Sequence, residues 1–289
     1  MGSPKLKRPP PLSLTEKGLR QLSRAFDEAR DAIVAPLNSM VMGYHFTRRD
    51  AARSILHSRV LWASDLRVSK NDKNELFSGF EILRQAIEGS SVISEMGDKI
   101  PELLRDLCYH AACLSSEWNT ERQWADFAGG GTGWAIGFAL EPMNKICIRL
   151  NIQHFPINYD VPLQLSLFKG YLTAAENLAW EELSDLGRRE WYDKMLLGLG
   201  TLAFASKSPN YSSERELRLC ITCDDAFKKV PALSYCAREL PLCTSQTIRE
   251  VILGAECDDS VEEVAQFLKE HGYSRATVRR IDKSLSLLH

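Results

Sequence analysis

SPNYSSERELRLCIT, residues 208–222, sets a polar segment against an apolar run that reads as a buried strand. Glu214 and Glu216 stand two apart at the mouth of that run. Residues i and i+2 of a strand share a face, so the spacing predicts two carboxylates side by side. Like charges so placed raise each other's proton affinity. Lys207 precedes the pair, and Arg218 follows on the same face. One reading is a carboxylate–cation ladder of small worth on a wet sheet edge. The other makes one glutamate catalytic and gives its neighbour a substrate-orienting task.

The C-terminus is a compact β-α-β pattern. REVILG reads as a strand, Ser260–His271 as a helix and ATVRRID as a strand. Upstream, AACLSS is a buried strand, TERQWADFA a short helical turn and GGGTG a flexible loop. GWAIGFAL, KICIRLNI and LQLSLF read as strands, and residues 173–200 as a long helical region. ALSYC is expected to pair near the glutamate strand. A strand at Tyr44–Thr47 leads into a helix for which Thr47 is a candidate cap, and a second strand, Val60–Ser64, follows. The loop RVSKNDKNE opens a helix marked by Leu76, Phe80, Leu83 and Ile87, and another helix covers about 98–109. Ser13 and Glu16 form a capping box before an apolar stripe of Leu19, Leu22, Phe26, Ala29 and Ile33, and Pro36 marks that helix's end.

The expected organisation is a disordered leader (1–12), an N-terminal helix (13–38) that docks on its own domain, and a single α+β domain (39–289). That domain has central mixed or antiparallel sheets with flanking helices. With 44% hydrophobic and 26% charged residues among 289, the chain can build a sizeable core. A formal net charge of −2 excludes a general electrostatic pull toward nucleic acid or anionic lipid. No apolar run approaches a membrane span, and the basic, proline-rich start lacks the apolar stretch of a secretory signal. The expected location is cytoplasmic, with a secreted effector lacking such a signal left open. Most of the eight cysteines lie in apolar runs, where cysteine behaves as a small hydrophobe in a reducing compartment. Cys220 and Cys223 form C-x-x-C, but strand spacing aims them at opposite faces and no second pair answers them.

Gly129–Gly133 lacks the lysine of a phosphate-binding loop and reads as a loop that flanks a ligand at most. His45 and Thr47 share a face of their strand, opposite Tyr44 and Phe46, which suits a polar cleft. Asn71, Asp72 and Glu75 are first-turn helix acids and their neighbours, or metal ligands.

Taken in order, YHFT, SIL, SRVLWASDL, the Asn71–Asp72 loop, CLSSE, QWADFAGGGTGWAIGF, KSPNYSSERELRL and IREVILG resemble the mostly bacterial family filed as domain of unknown function 2971, over about residues 42–255. Departures from its pattern are Lys73, where the family often has proline, Gln123 in place of methionine and Phe127 in place of tyrosine. More remotely, the opening YHFT, SIL and LWAS is similar to ADP-ribosyltransferases of the DNA-modifying DarT type. That resemblance implies an ADP-ribosyltransferase-like core that uses NAD as substrate and needs no metal. It assigns His45, with Tyr44 and Thr47, to the NAD ribose side, and Ser115 with Trp124 or Phe127 to nicotinamide. Glu216 becomes the catalytic acid, with Glu214 orienting the acceptor, and Asn71, Asp72, Lys207 and Arg218 complete the family motifs.

Such chemistry suits the residue types. Cleavage of the nicotinamide bond develops oxocarbenium charge, which a carboxylate stabilises in the transition state. The acceptor would be a protein, a nucleic acid or water, in a defence or toxin setting, and the oligomeric state stays open. This reading requires His45 and Glu216 to converge on one dinucleotide-sized cleft. A non-catalytic module that binds a protein or nucleic acid in defence or regulation requires instead a flat surface, with the carboxylates tied to Lys207 and Arg218. A metal-dependent nuclease would gather Asp72, Glu75, Glu214 and Glu216 around an ion.

Overall fold

A computed structural model describes residues 14–66, 75–88, 110–177, 185–221 and 237–282. The expectations for Ser13, the 67–74 loop, the 98–109 helix, Cys223 and ALSYC fall outside those residues.

The strands are β1 (Met42–Thr47), β2 (Leu61–Asp65), β3 (His110–Ser115), β4 (Trp134–Ala139), β5 (Gln153–Pro156), β6 (Glu216–Ile221), β7 (Ala237–Leu240), β8 (Ile248–Leu253) and β9 (Thr277–Arg280). They join one open sheet in the order β5-β6-β3-β1-β4-β8-β9, with β2 pairing β3 and β7. The β8–β9 pair is parallel, and the other pairs are antiparallel. The helices are α1 (Leu14–Val34), α2 (Arg49–Ser58), α3 (Glu75–Ile87), α4 (Glu121–Asp126), α5 (Leu140–Arg149), α6 (Val161–Glu176), α7 (Asp185–Phe204) and α8 (Val261–Glu270). The result is a mixed α and β fold with a central, mostly antiparallel sheet between helices. None of its described helices is long and apolar enough to cross a membrane.

One sheet face is covered by α1, α3, α6 and α7, whose Leu22, Leu83, Phe168, Tyr171, Met195 and Leu199 meet Ala111, Phe155 and Cys220. The α1 stripe of Leu19, Leu22, Ala29 and Ile33 is buried in this layer, so the helix docks on its own chain as its spacing requires. Tyr44, Phe46, Trp124, Ala128, Ala135 and Ile252 form a smaller aromatic cluster. The opposite face packs Leu114, Ile136, Phe138, Leu217 and Leu219 against α2, α5 and α8.

Two expected strands are helices. KICIRLNI begins inside α5, where Leu140, Met143 and Cys147 are buried at helical spacing while Ile148 is 77% exposed. The alternation of KICIR imitates a strand, but only one face of the helix reaches the core. LQLSLF lies in α6, opened by the Asp160 carboxylate accepting from Leu163 N and by proline in the first turn. Gln164, Phe168, Tyr171, Leu172 and Ala175 line its buried side. Thr47 is not the cap of α2, because β1 runs through it and Arg48 takes that position. The GGGTG loop is pinned: Gly131 O accepts from Glu256 N at 3.1 Å, and a Cβ on Gly254 would lie 1.9 Å from that oxygen.

The sheet has a seam at its centre. β1 meets β3 through one register pair, Tyr44–Ser115, whereas β1–β4 and β3–β6 pair over their whole length. The same edge of β3 pairs with β2 at Ala111 and His110. β1 and β2 thus share that edge, leaving 112–114 between them.

Candidate functional site

Glu216 opens β6, but Glu214 ends a 3-10 turn, Pro209–Glu214, and is not in the strand. Arg215 between them takes a left-handed conformation (φ 48°) and turns the chain. The two carboxylates converge all the same, because Lys207 stands between them. Its Nζ lies 2.6 Å from Glu214 Oε2 and 3.1 Å from Glu216 Oε2. Arg218 donates from Nε to Glu216 Oε1 at 2.7 Å and from Nη1 to Phe204 O at 2.7 Å. Arg122 approaches Glu214 Oε1 at 3.5 Å, and the Tyr211 ring lies under both Arg122 and Lys207, 4.7 Å from each.

This is no wet edge. Lys207, Glu214, Glu216 and Arg218 are 3%, 5%, 3% and 0% exposed, so each ion needs its partners. Burial alone would raise the Glu216 carboxyl. The Arg218 and Lys207 charges outweigh it and hold that group down at about 2. Glu214 goes the other way: burial raises its carboxyl above the ordinary value, and Lys207 only partly opposes this. Glu216 is thus an ionised carboxylate with both oxygens taken by cations.

Ser115 joins the cluster through backbone. Its Oγ donates to Glu214 O at 2.8 Å, and Gln123 Nε2 donates to the same oxygen at 3.3 Å. Ser115 is opposite Glu216 in β6 and opposite Tyr44 in β1, so these three share a face. His45 does not. It stands opposite Ile136 on the other face, and its Nδ1 donates to Cys113 O at 3.0 Å across the seam. Burial lowers the His45 imidazole below its usual value and keeps it neutral. The expected convergence of His45 and Glu216 on one cleft is not formed, because neighbouring residues of a strand face opposite ways and Tyr44 takes the glutamate side.

Among the aromatics, Trp124 is 7% exposed, donates from Nε1 to Trp118 O and meets Phe46 edge-on at 5.0 Å. Phe127 packs on the same cluster, and Thr47 lies on the His45 face opposite Trp134. Asn71 and Asp72 are outside the described residues, and the Glu75 side chain is likewise not described. No group of three or more His, Cys, Asp or Glu side chains suited to a metal gathers among the described residues.

Beside Tyr44 the fold leaves a cleft of about 450 Å³, lined by residues 39–42, Tyr44 and residues 116–119. Its edge carries a polar relay that the sequence reading missed. Tyr44 Oη donates to Glu250 Oε1 at 2.7 Å, and Arg279 Nε donates to Glu250 Oε2 at 3.1 Å. The Arg279 guanidinium lies 4.1 Å from the Trp118 ring centre. Burial and the Glu250 carboxylate push the Tyr44 phenol up. These residues come from β1, β8, β9 and the 116–119 loop, and no local spacing announces their meeting.

Residues 123–219 match the model of a family described as a protein of unknown function (DUF2971), which supports the resemblance read from the motifs. The matched span holds Trp124, the glycine loop, Lys207, Glu214, Glu216 and Arg218, and leaves out His45 and Asn71–Asp72. No curated protein and no solved structure matches the chain.

Proposed function

We propose that the chain is a non-catalytic binding module that recognises a protein partner through the cleft between residues 39–44 and 116–119. The observation that carries this is the state of Glu216: buried, ionised, and saturated by Arg218 and Lys207 on the face away from His45. A carboxylate already neutralised by two cations has little field left for an oxocarbenium ion. The cleft, by contrast, is lined by Trp118, Met40, Met42 and an exposed Val41 together with Ser39, Tyr44, Ser116, Glu117 and Asn119. Such a mixed apolar and polar lining suits a protruding amphipathic side chain. The net charge of −2 argues for protein over nucleic acid as the partner.

The test pairs two measurements. Ligand-observed NMR with indole, p-cresol and N-acetylmethionine amide as side-chain mimics is expected to show binding that Trp118→Ala abolishes. Incubation with NAD is expected to release no nicotinamide. Mimics that ignore the cleft, or release that Glu216→Gln abolishes, would overturn the proposal.

A second reading, NAD-dependent ADP-ribosyl transfer to a macromolecule or NAD hydrolysis, draws on the seam and on the divergent carboxyls. Two neighbouring acids pushed apart in proton affinity are the usual raw material of acid–base work. It requires β1 and β3 to part beyond Tyr44–Ser115, His45 to turn to the Glu216 face and Glu216 to leave Arg218. The nicotinamide assay decides between the two.

A further inference from the structure

We infer that His57 and His271 form a two-imidazole site for a late first-row divalent metal ion, clamping the C-terminal end of α2 to that of α8. His57 lies in the last turn of α2, and His271 is the C-cap of α8. His57 Nδ1 and His271 Nε2 are 3.0 Å apart. The other nitrogen of His271, Nδ1, lies 2.8 Å from Phe267 O. A carbonyl only accepts, so Nδ1 carries the hydrogen and Nε2 presents a lone pair toward His57. Such a hydrogen bond from the far ring nitrogen to a backbone carbonyl is what orients metal-binding imidazoles.

The spacing fits a chelating pair. Two nitrogens at about 2.0–2.1 Å from one ion lie about 2.9 Å apart at a right angle and about 3.3 Å apart at the tetrahedral angle. The observed 3.0 Å falls between these, nearer the tetragonal geometry of Cu(II) and Ni(II). On binding, His57 loses the Nδ1 hydrogen that it shares with His271 and gains one at Nε2 through solvent, with no net proton change. Each lone pair must swing about 35–45° off the line joining the two nitrogens to meet at an ion about 2.0–2.1 Å from both, and water fills the remaining positions. The exposed His57 is placed to do this.

The backbone around the pair is fixed. Tyr273 Oη donates to Leu56 O at 2.9 Å, and Arg59 Nη2 donates to His271 O at 3.0 Å. The Arg59 charge opposes a cation, so the site selects by imidazole affinity rather than by a negative field. No carboxylate is needed, and hard ions such as Mg²⁺ are excluded.

Nickel chloride titrated into the full chain by calorimetry, with thiols kept reduced, tests the site. One equivalent is expected to bind the parent chain and to raise its melting temperature. Affinity is expected to fall at least tenfold in His57→Gln and in His271→Gln, and to hold in His289→Gln. Ni²⁺ should also broaden the ring-proton NMR signals of His57 and His271 before those of His154. Parent affinity retained in either glutamine variant, or broadening that spares both rings, would overturn the site.

Discussion

Tyr44 and Ser115 are the one register pair by which β1 meets β3. Past it the strands part, and the His45 ring bridges to Cys113 O. A side chain therefore does there what a ladder hydrogen bond does elsewhere. His45→Ala is expected to cost about 0.5–1.5 kcal/mol, the net worth of an ordinary hydrogen bond, since the Cys113 carbonyl is part-buried. Urea unfolding of the variant measures it. A destabilisation within error of zero would show that the seam holds without the ring.

Lys207 is the hub of the buried charges. Lys207→Met leaves two carboxylates facing each other with Arg218 and the half-exposed Arg122 as cations. Breaking one partner of a buried ion pair costs roughly 3–5 kcal/mol. Adding Glu214→Gln to Lys207→Met removes the surplus charge and should restore part of the loss. Additive effects in the double variant would argue against coupling.

The two carboxyls make opposite contributions with pH. Glu216 is held down, so its stabilisation is full above the unfolded value of 4.5 and is lost as pH falls toward about 2. Glu214 is raised, so its contribution is full below 4.5 and is lost as pH climbs through its folded value. Unfolding free energies over a pH series are expected to fall less steeply below 4.5 in Glu216→Gln. Glu214→Gln is expected to remove a gain on mild acidification. Matching slopes in parent and variants would contradict the assignment.

Two helical glycines should respond in opposite directions. A Cβ on Gly79 of α3 would lie 2.2 Å from Ala203 O on α7, a backbone atom that cannot swing aside. Gly79→Ala is expected to destabilise by about 1–3 kcal/mol through overpacking. Gly170 in α6 has nothing within 4 Å of that position. Gly170→Ala is expected to stabilise by about 0.4–1 kcal/mol, because it restricts the unfolded chain. Thermal melts of both variants give the signs directly.

The motifs that carry meaning over a few residues were legible in the sequence. The α1 stripe, the Tyr44–Thr47 strand, the glutamate strand and the β-α-β close with its Ser260 cap follow from spacing and end signals. The period of side chains is a local property, and these segments keep it cleanly. KICIRLNI and LQLSLF misled because short alternating runs fit both periods, and only the choice of buried side separates them. The pairing of Lys207 with Glu214 and Glu216 was readable as a tie. Its depth was not, since burial comes from α7 and the neighbouring strands closing over the face. The tertiary structure alone decided that Tyr44, not His45, shares the glutamate face. It alone joined Glu250 and Arg279 to Tyr44 and Trp118, and brought His57 to His271. Those meetings depend on strand register and helix docking between segments up to 200 residues or so apart, which no local pattern encodes.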